Sequence, residues 1–582
     1  MIKKSLILLQ KFINSRYFFP VVLLILIIPT FSFLLQPGMY WNMHDDMQMI
    51  RQFEMEKCFQ DRQIPCRWAP DVGYGYGLPL FNYYPPLPYL IGQTFRFLGL
   101  SFVATIRYTA ILQIILSSFF MYLLASSLFG PIGGLLSALF YTYAPYHAIN
   151  IFVRGAMNEA WAATFFPLIF LFSKKLIETQ KTKYLILLAI SFSLLLLSHN
   201  PMVLIFSPLL VIWSLYWIYN QKFKKNISYL LIFRDLIFSA ILSLGLSAFF
   251  TLPVLFETKL VQVDKMFSGY YSYFNHFASL FQLFISNFWG DGSSIWGPND
   301  GLSFSVGYLH WIIPTIIFFI ILIKYFKRHH LSSLEISVLG LVVMAFFTAF
   351  MVHERSTFIW KILVPLQKIQ FPWRFLNITE FLFSLSVGIF PILLIKHSKL
   401  NLQNYFCLLL IIVLMIIINF KHFTPLTFGP LTDQQKFNGL AWTNQISGGI
   451  NDYLPTTSNS LPQQPAKDYL DEIIPDSSKY IISGQKKGSD WQFFNLNLNK
   501  PSTVYLSVLA FPNFQITDNQ QSIIYQIEPT LGRISLNLDA GQHQIYLKLI
   551  NTPLRTFANY ISLFSFFVFI YLVLSLKWKK ST

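Results

Sequence analysis

Charge is in short supply along this chain. Only 12% of its 582 residues are Asp, Glu, Lys or Arg, against about 25% in soluble globular proteins. With 54% hydrophobic residues and a positive mean hydropathy, a soluble protein is excluded and an integral membrane protein with many spans is implied. Cysteine is scarcer still, at three residues, and no Cys/His spacing resembles a zinc site. Cys407 lies in an apolar run as inert packing. Cys58 and Cys66 lie in the first polar loop, where either a disulfide or two unpaired thiols is consistent with the sequence. No repeat of solenoid period is present. Acidic residues are outnumbered by basic ones, giving a net charge of +17. The basic residues cluster in short loops between apolar runs, so the surplus reads as a topology signal and no nucleic-acid partner is expected.

Phenylalanine and tyrosine are abundant, at 61 and 30 residues, as suits rings packed in lipid and at its surfaces. A spanning helix needs about 20 apolar residues. Candidate runs are 17–36, 105–128, 131–149, 157–173, 183–198, 202–219, 234–256, 304–324, 335–352, 376–396, 401–420 and 557–576, about twelve in all. The first lacks a small-residue cleavage site and reads as an uncleaved first helix. Lys3, Lys4, Lys11 and Arg16 precede it, and Lys577, Lys579 and Lys580 follow the last run. Basic clusters at 174–183, 222–234, 324–328 and 396–399 fall on the same side, so both termini are expected to be cytoplasmic.

That orientation puts the loop 37–104, the Arg154–Glu159 turn, the loops 257–303 and 353–375, and the segment 421–556 outside the cytoplasm. The expected division is a multi-span membrane domain at 1–420, a β-rich domain at 421–556, and a final span with a basic tail at 557–582. Met47 to Phe59 reads as an amphipathic helix lying flat on the membrane, and Leu87 to Leu100 as a second candidate. Segment 421–556 is rich in Asn, Gln, Ser and Pro up to about residue 490. It then reads as short strands, "STVYLSVL", "SIIYQIEP", "GRISLNL" and "HQIYLKLI", in a small antiparallel sandwich. The fold class is thus mainly α, a polytopic helical bundle carrying a small extracytoplasmic β-sandwich-like domain.

The chemistry gathers at one surface. His44, Asp45 and Asp46 stand just outside the first span, followed by Arg51 and an aromatic, Gly- and Pro-rich stretch ending in "LFNYYPPLPY". A general base or metal ligand needs a carboxylate near a reacting hydroxyl; the alternative for both aspartates is capping of the following helix. Arg154 and Glu159 form a second cluster, as functional groups or as a structural ion pair. His147 and His199 sit at outer span ends. Trp373 and Arg374, in "QFPWRFL", suit an interfacial anchor or, through the guanidinium, a lipid phosphate. His353, Glu354 and Arg355 carry a weaker signal, and Asp291 in "WGDG" reads as a turn. Within the apolar runs Glu380 is nearly the only ionisable residue. Ion-coupled carriers usually hold charges at mid-membrane, so a transporter is disfavoured against an enzyme at the outer leaflet.

This arrangement resembles the GT-C superfamily of membrane glycosyltransferases. The likeness rests on Asp45/Asp46 in the first outer loop, on Arg154/Glu159 in the following turn, and on "GPIGGLLSALFYTYAPYH" as the third span, and it covers roughly 17–220. "IQFPWRFL" and "GRISLNLDAGQHQIYLKLINTPLRTFANYISL" are similar to a bacterial group labelled "6-pyruvoyl-tetrahydropterin synthase-related", or YfhO-like. No zinc-binding His triad or soluble synthase core is present to support that label as a function. The resemblance implies a bacterial plasma-membrane enzyme that transfers a sugar from a polyprenyl-phosphate donor to an extracytoplasmic glycan, lipid or protein acceptor. It implies Asp45, Asp46 and Glu159 as catalytic residues and Arg154 and Arg374 as substrate-binding residues, beside which His44, Trp373 and His199 are substrate-binding candidates from their place in the sequence. Asp45 and Glu159 would be the ligands if a divalent ion, Mg²⁺ or Mn²⁺, is used. Two other readings stand beside it: a non-catalytic relative that binds glycan or a partner, and a glycan ligase or polymerase using a lipid-diphosphate donor.

Overall fold

The computed structural model describes residues 15–221, 228–394 and 401–578. Lys3, Lys4, Lys11, Lys222, Lys224, Lys225, Lys396, Lys399, Lys579 and Lys580, used above for orientation, lie outside the described residues. Among those described, nine helices are long and apolar enough to cross a membrane, and two shorter apolar helices, Phe18–Phe31 and Thr182–Leu196, accompany them. The protein is a polytopic membrane protein.

Helix boundaries depart from the apolar runs where proline or glycine intervenes. The runs 105–128 and 131–149 join as Phe102–Thr142, broken at Gly130 with φ +78°. Only glycine takes that conformation freely, and Pro131 restarts the helix where a missing N–H costs nothing. The second arm stops at Thr142, short of the expected 149. Pro145 opens a short turn, Pro145–Ala148, and Ile149–Val153 wind as a π-turn that ends at Arg154. The run 234–256 parts into Tyr229–Leu246 and Ala248–Glu257. The run 376–396 parts into Leu376–Val387 and Phe390–Leu394.

In the first loop, Gln48–Gln60 and Leu87–Phe97 are helical. The former is not free on a membrane surface, as its amphipathic pattern suggested. Its polar Gln48, Arg51, Gln52 and Glu54 are buried together with Met49, Ile50 and Met55. The burial is sustained by hydrogen bonds such as Gln52 Nε2 to the Tyr89 carbonyl at 3.2 Å. Cys58 and Cys66 close the end of this helix as a disulfide, with Cα atoms 5.4 Å apart.

The tail segment builds two antiparallel sheets. One orders Leu470–Ile474, Ser502–Leu509, Arg533–Leu538 and Gln526–Ile527. The other orders Tyr480–Lys487, Trp491–Leu498, Gly541–Leu549, Phe514–Asp518 and Gln521–Ser522. Strand structure therefore begins well before residue 490. "SIIYQIEP" supplies only two-residue pieces, because its apolar Ile524 points into solvent, 96% exposed. Alternate residues of both sheets, among them Phe494, Leu496, Val504, Leu506, Leu536 and Leu547, share one apolar core with Trp68, Val72 and Tyr76 of the first loop. At Gly77, with φ +80°, a Cβ would stand 2.5 Å from the Trp68 indole nitrogen. Nothing larger than hydrogen fits there. A short pairing of Met39–Trp41 with Phe428–Pro430 ties the start of the first loop to the start of the tail.

Candidate active site

The acidic tripeptide is held by backbone. The His44 N–H donates to the Val153 carbonyl at 2.9 Å and the Asp45 N–H to that of Arg154 at 3.0 Å. Gln48 adds a bond to the Gly155 carbonyl at 2.8 Å and accepts one from the Tyr89 hydroxyl at 2.8 Å. The two loops singled out in the sequence are thus zipped together, more than a hundred residues apart.

The tandem aspartates then diverge. Asp45 Oδ2 accepts from Arg51 Nη1 at 2.6 Å, and Arg51 also donates to the Tyr84 hydroxyl at 2.9 Å. Burial works against the charge of Arg51, but Asp45 and the neighbouring tyrosines hold its proton all the more firmly. Asp46 accepts from the Tyr40 hydroxyl at 2.9 Å and pairs with Lys436, which arrives from the tail. Burial raises the Asp46 carboxyl above its ordinary range, and Lys436 pulls it only partly back. Asp45 keeps Oδ1 without a protein hydrogen bond among the described residues, whereas both oxygens of Asp46 are engaged.

Beneath them lies a cationic group organised by one carboxylate. Glu159 Oε2 takes Arg154 Nη1 at 2.9 Å and Arg374 Nε at 3.2 Å. Its Oε1 takes the Tyr146 hydroxyl at 2.9 Å and Asn377 Nδ2 at 2.7 Å. Arg154 Nη1 also meets Asn150 at 2.6 Å, and its guanidinium lies 4.3 Å over the Trp373 ring. Arg374 Nη1 is fixed by the Ile369 carbonyl at 2.6 Å and by Gln370. Two buried cations against one carboxylate leave the group with a net positive charge. Nη2 of each arginine makes no protein hydrogen bond among the described residues, and both residues line a cavity. The arrangement suits a phosphate oxygen, which guanidinium binds well.

One open cavity of about 950 Å³ is lined by His44, Asp45, Asp46, Arg154, Glu159, His199, Trp373 and Arg374. Residues named from different ends of the sequence therefore meet at one place. Others do not join it. Cys58 and Cys66 lie outside the lining, His147 packs edge-on against Tyr141, and His353 caps the turn at Glu354–Ser356. Asp291 contributes its backbone carbonyl, 2.7 Å from His44 Nε2. Glu380 is buried and accepts from the Tyr146 N–H at 2.8 Å. Lys436 and Asp452 also line the cavity and carried no sequence motif, while Tyr84 and Gln370 reach it from the stretches "LFNYYPPLPY" and "QFPWRFL".

Glu159 does not fit a divalent cation. A carboxylate offers about four acceptor positions, and at Glu159 two guanidinium groups, a phenol and an amide fill them. Of the two expected ligands only Asp45 has a free oxygen. Among the described residues no group of three or more His, Cys, Asp or Glu is placed to hold a metal ion.

Residues 84–243 match the family model described as dolichyl-phosphate-mannose-protein mannosyltransferase, well under half of the chain. An uncharacterized protein of Lactococcus lactis subsp. cremoris is 25% identical over 338 residues, 56% of this chain and 53% of that one. The chain thus spans about half the length of the curated relative it matches. Among solved structures, the Archaeoglobus fulgidus oligosaccharyltransferase, tethered to an acceptor peptide, is 13% identical with a TM-score of 0.44, over 78% of this chain and 61% of that one. The arabinofuranosyltransferase AftD from Mycobacteria is 12% identical with a TM-score of 0.39, over 75% and 27%.

Proposed function

We propose that this protein transfers a sugar from a polyprenyl-phosphate donor to an acceptor on the extracytoplasmic side of a bacterial plasma membrane. The observation that carries this reading is the meeting, in one cavity, of the Asp45 carboxylate with the Arg154–Arg374 pair. A lipid-phosphate leaving group gains negative charge as its bond to the sugar breaks, and fixed cations at that point lower the barrier. An acceptor hydroxyl needs a carboxylate beside it. The match of residues 84–243 to a dolichyl-phosphate-mannose family supports the same donor class.

In this reading Arg154 and Arg374 face the phosphate and Glu159 holds both in place. Trp373 and His199 border the sugar. Asp45, fixed by Arg51, accepts a hydrogen bond from the acceptor hydroxyl, and Asp46 ties the tail to the site through Lys436. The reading also carries twelve crossings with both termini inside, and membership of the YfhO-like bacterial group. The test is transfer of labelled sugar from a panel of polyprenyl-phosphate donors in membranes carrying the full chain, beside Asp45→Asn and Asp46→Asn. Donor-dependent product lost in Asp45→Asn and largely kept in Asp46→Asn is expected. An expressed wild-type protein that gives no product with any donor sinks the reading.

A further inference from the structure

Asp452 has no place in the scheme above, yet it lines the same cavity. Its position is built by sequence. The Gly448–Gly449 turn, with Gly449 at φ +62°, lies so close to Met47 that a Cβ on Gly448 would stand 2.7 Å from the Met47 sulfur. Met47 directly follows the tandem aspartates, so this approach brings the tail against the acidic loop. The Asp452 N–H closes the turn on the Gly449 carbonyl at 3.0 Å. Tyr453 then anchors the segment, stacked on Tyr83 at 5.8 Å and edge-on to Tyr84 at 6.5 Å, the tyrosine that also holds Arg51.

Asp45, Asp46 and Glu159 all bind protein cations. The Asp452 carboxylate, by contrast, makes neither a hydrogen bond nor an ion pair among the described residues. It shares the cavity wall with Arg51 and Asp45 from the first loop, Tyr271 from the loop 257–303, and its neighbour Tyr453. A carboxylate carried on a fitted turn into a reaction cavity, with its oxygens left open, is placed to meet substrate.

Resting on the transferase reading, we infer that Asp452 is a catalytic residue: it receives the proton of the acceptor hydroxyl, while Asp45, paired with Arg51, orients that hydroxyl. The acceptor O–H bond breaks and its proton passes to an Asp452 oxygen. The acceptor oxygen bonds to the anomeric carbon. The bond from that carbon to the lipid-phosphate oxygen breaks, its electron pair remaining on the phosphate beside Arg154 and Arg374. Asp452 then returns its proton to water through the open cavity. Burial, with Asp45 nearby and Arg51 opposing, pushes the Asp452 carboxyl up to about 6. A base of that strength is largely ionised at neutral pH and still basic enough to take a proton.

The experiment measures initial rates from polyprenyl-phosphate mannose, labelled in the sugar, in membranes containing the full chain and their native acceptors. Wild type, Asp452→Asn and Asp452→Glu are compared from pH 5 to 8.5. Wild-type turnover is expected to reach a plateau above an inflection near 6 and to fall about tenfold by pH 5. Asp452→Asn is expected to lose about 10²-fold or more in turnover, with the donor KM within about twofold, and to lose the inflection. Asp452→Glu should keep an inflection and part of the rate. An active wild type whose rate and inflection survive in Asp452→Asn overturns the assignment and leaves the transferase reading standing. A wild type with no product from this or any other lipid-phosphate donor overturns both. Loss of turnover in Asp452→Asn with the inflection retained assigns the residue to structure instead and also overturns the proposal.

Discussion

Replacing Arg154 with glutamine separates what the cationic group does for the fold from what it does for the reaction. Arg154 spends one nitrogen, Nη1, on Tyr146, Asn150 and Glu159, at 3.0, 2.6 and 2.9 Å. Its removal does not strand Glu159, which keeps Arg374, Tyr146 and Asn377. The structural cost therefore stays at about 1–3 kcal/mol, within the usual margin of about 5–15 kcal/mol. The catalytic cost is separate. Charge reaches the leaving phosphate only as the bond to the sugar breaks, and one fixed donor at such a point is worth about 2.7–4 kcal/mol, or 10²–10³-fold in turnover. The loss should fall on kcat more than on KM. Initial rates over donor concentration, in proteoliposomes holding wild type, Arg154→Gln, Arg374→Gln and the double variant, give the two quantities. The double variant leaves Glu159 buried with no cation and should lose more stability than the two singles together, since stranding a buried charge costs about 3–5 kcal/mol. A folded Arg154→Gln protein whose kcat is unchanged, with only KM raised, would refute the assignment of the arginines to the leaving group.

Asp452→Asn should be more stable as well as slower. Burial pushes the native carboxyl up to about 6 from an ordinary 3.8, so the folded state binds the extra proton and ionised Asp452 costs stability. That cost grows as pH rises from about 4 to 6 and is constant above, and removing it adds about 3 kcal/mol at pH 7.5. Thermal unfolding in detergent at pH 4.5 and 7.5 checks this, and an unaltered or lowered Tm at pH 7.5 contradicts it. For the pair between Asp46 and Lys436, a double-mutant cycle with Asp46→Asn and Lys436→Met should give a coupling of about 1–3 kcal/mol, since the lysine is nearly buried, 9% exposed at its side chain. Additive effects would show that the pair does not tie the tail down. Because Glu159 has no acceptor position left for a cation, EDTA treatment should leave transfer within about twofold of the untreated rate. A tenfold loss restored by Mg²⁺ or Mn²⁺ would show that a metal binds without Glu159 or displaces one of its donors.

The half of the site contributed by the membrane helices was legible because charge is rare there. Arg154, Glu159, Trp373 and Arg374 stand at the ends of apolar runs, where each polar residue is conspicuous and costly. Their convergence could not be read, since nothing local says that the turns at 154 and 374 share one carboxylate. The amphipathic pattern from Met47 to Phe59 was misleading for a related reason. Period shows that one face is apolar, but the polar face is buried too, against the Leu87–Phe97 helix, Tyr84 and the turn at Gly155, while the tail packs on Ile50 and Met55. A pattern within one segment carries no information about a cover that comes from another.

The same physics explains why the tail's contribution stayed hidden. In a polar segment Lys436 and Asp452 look like any solvated charge. The Gly448–Gly449 pair announces a turn but not its neighbour, Met47. The tandem aspartates make the point most sharply. Adjacent residues share their composition, their loop and their distance from the first span, so sequence alone leaves their roles interchangeable. Successive backbone directions part them. One side chain meets Arg51, six residues away on the next helix, and keeps an oxygen open to the cavity. The other meets Lys436, 390 residues away, and is closed. The carboxylate that meets the acceptor is therefore selected by which neighbour is already neutralised, and that selection depends on the tail being docked.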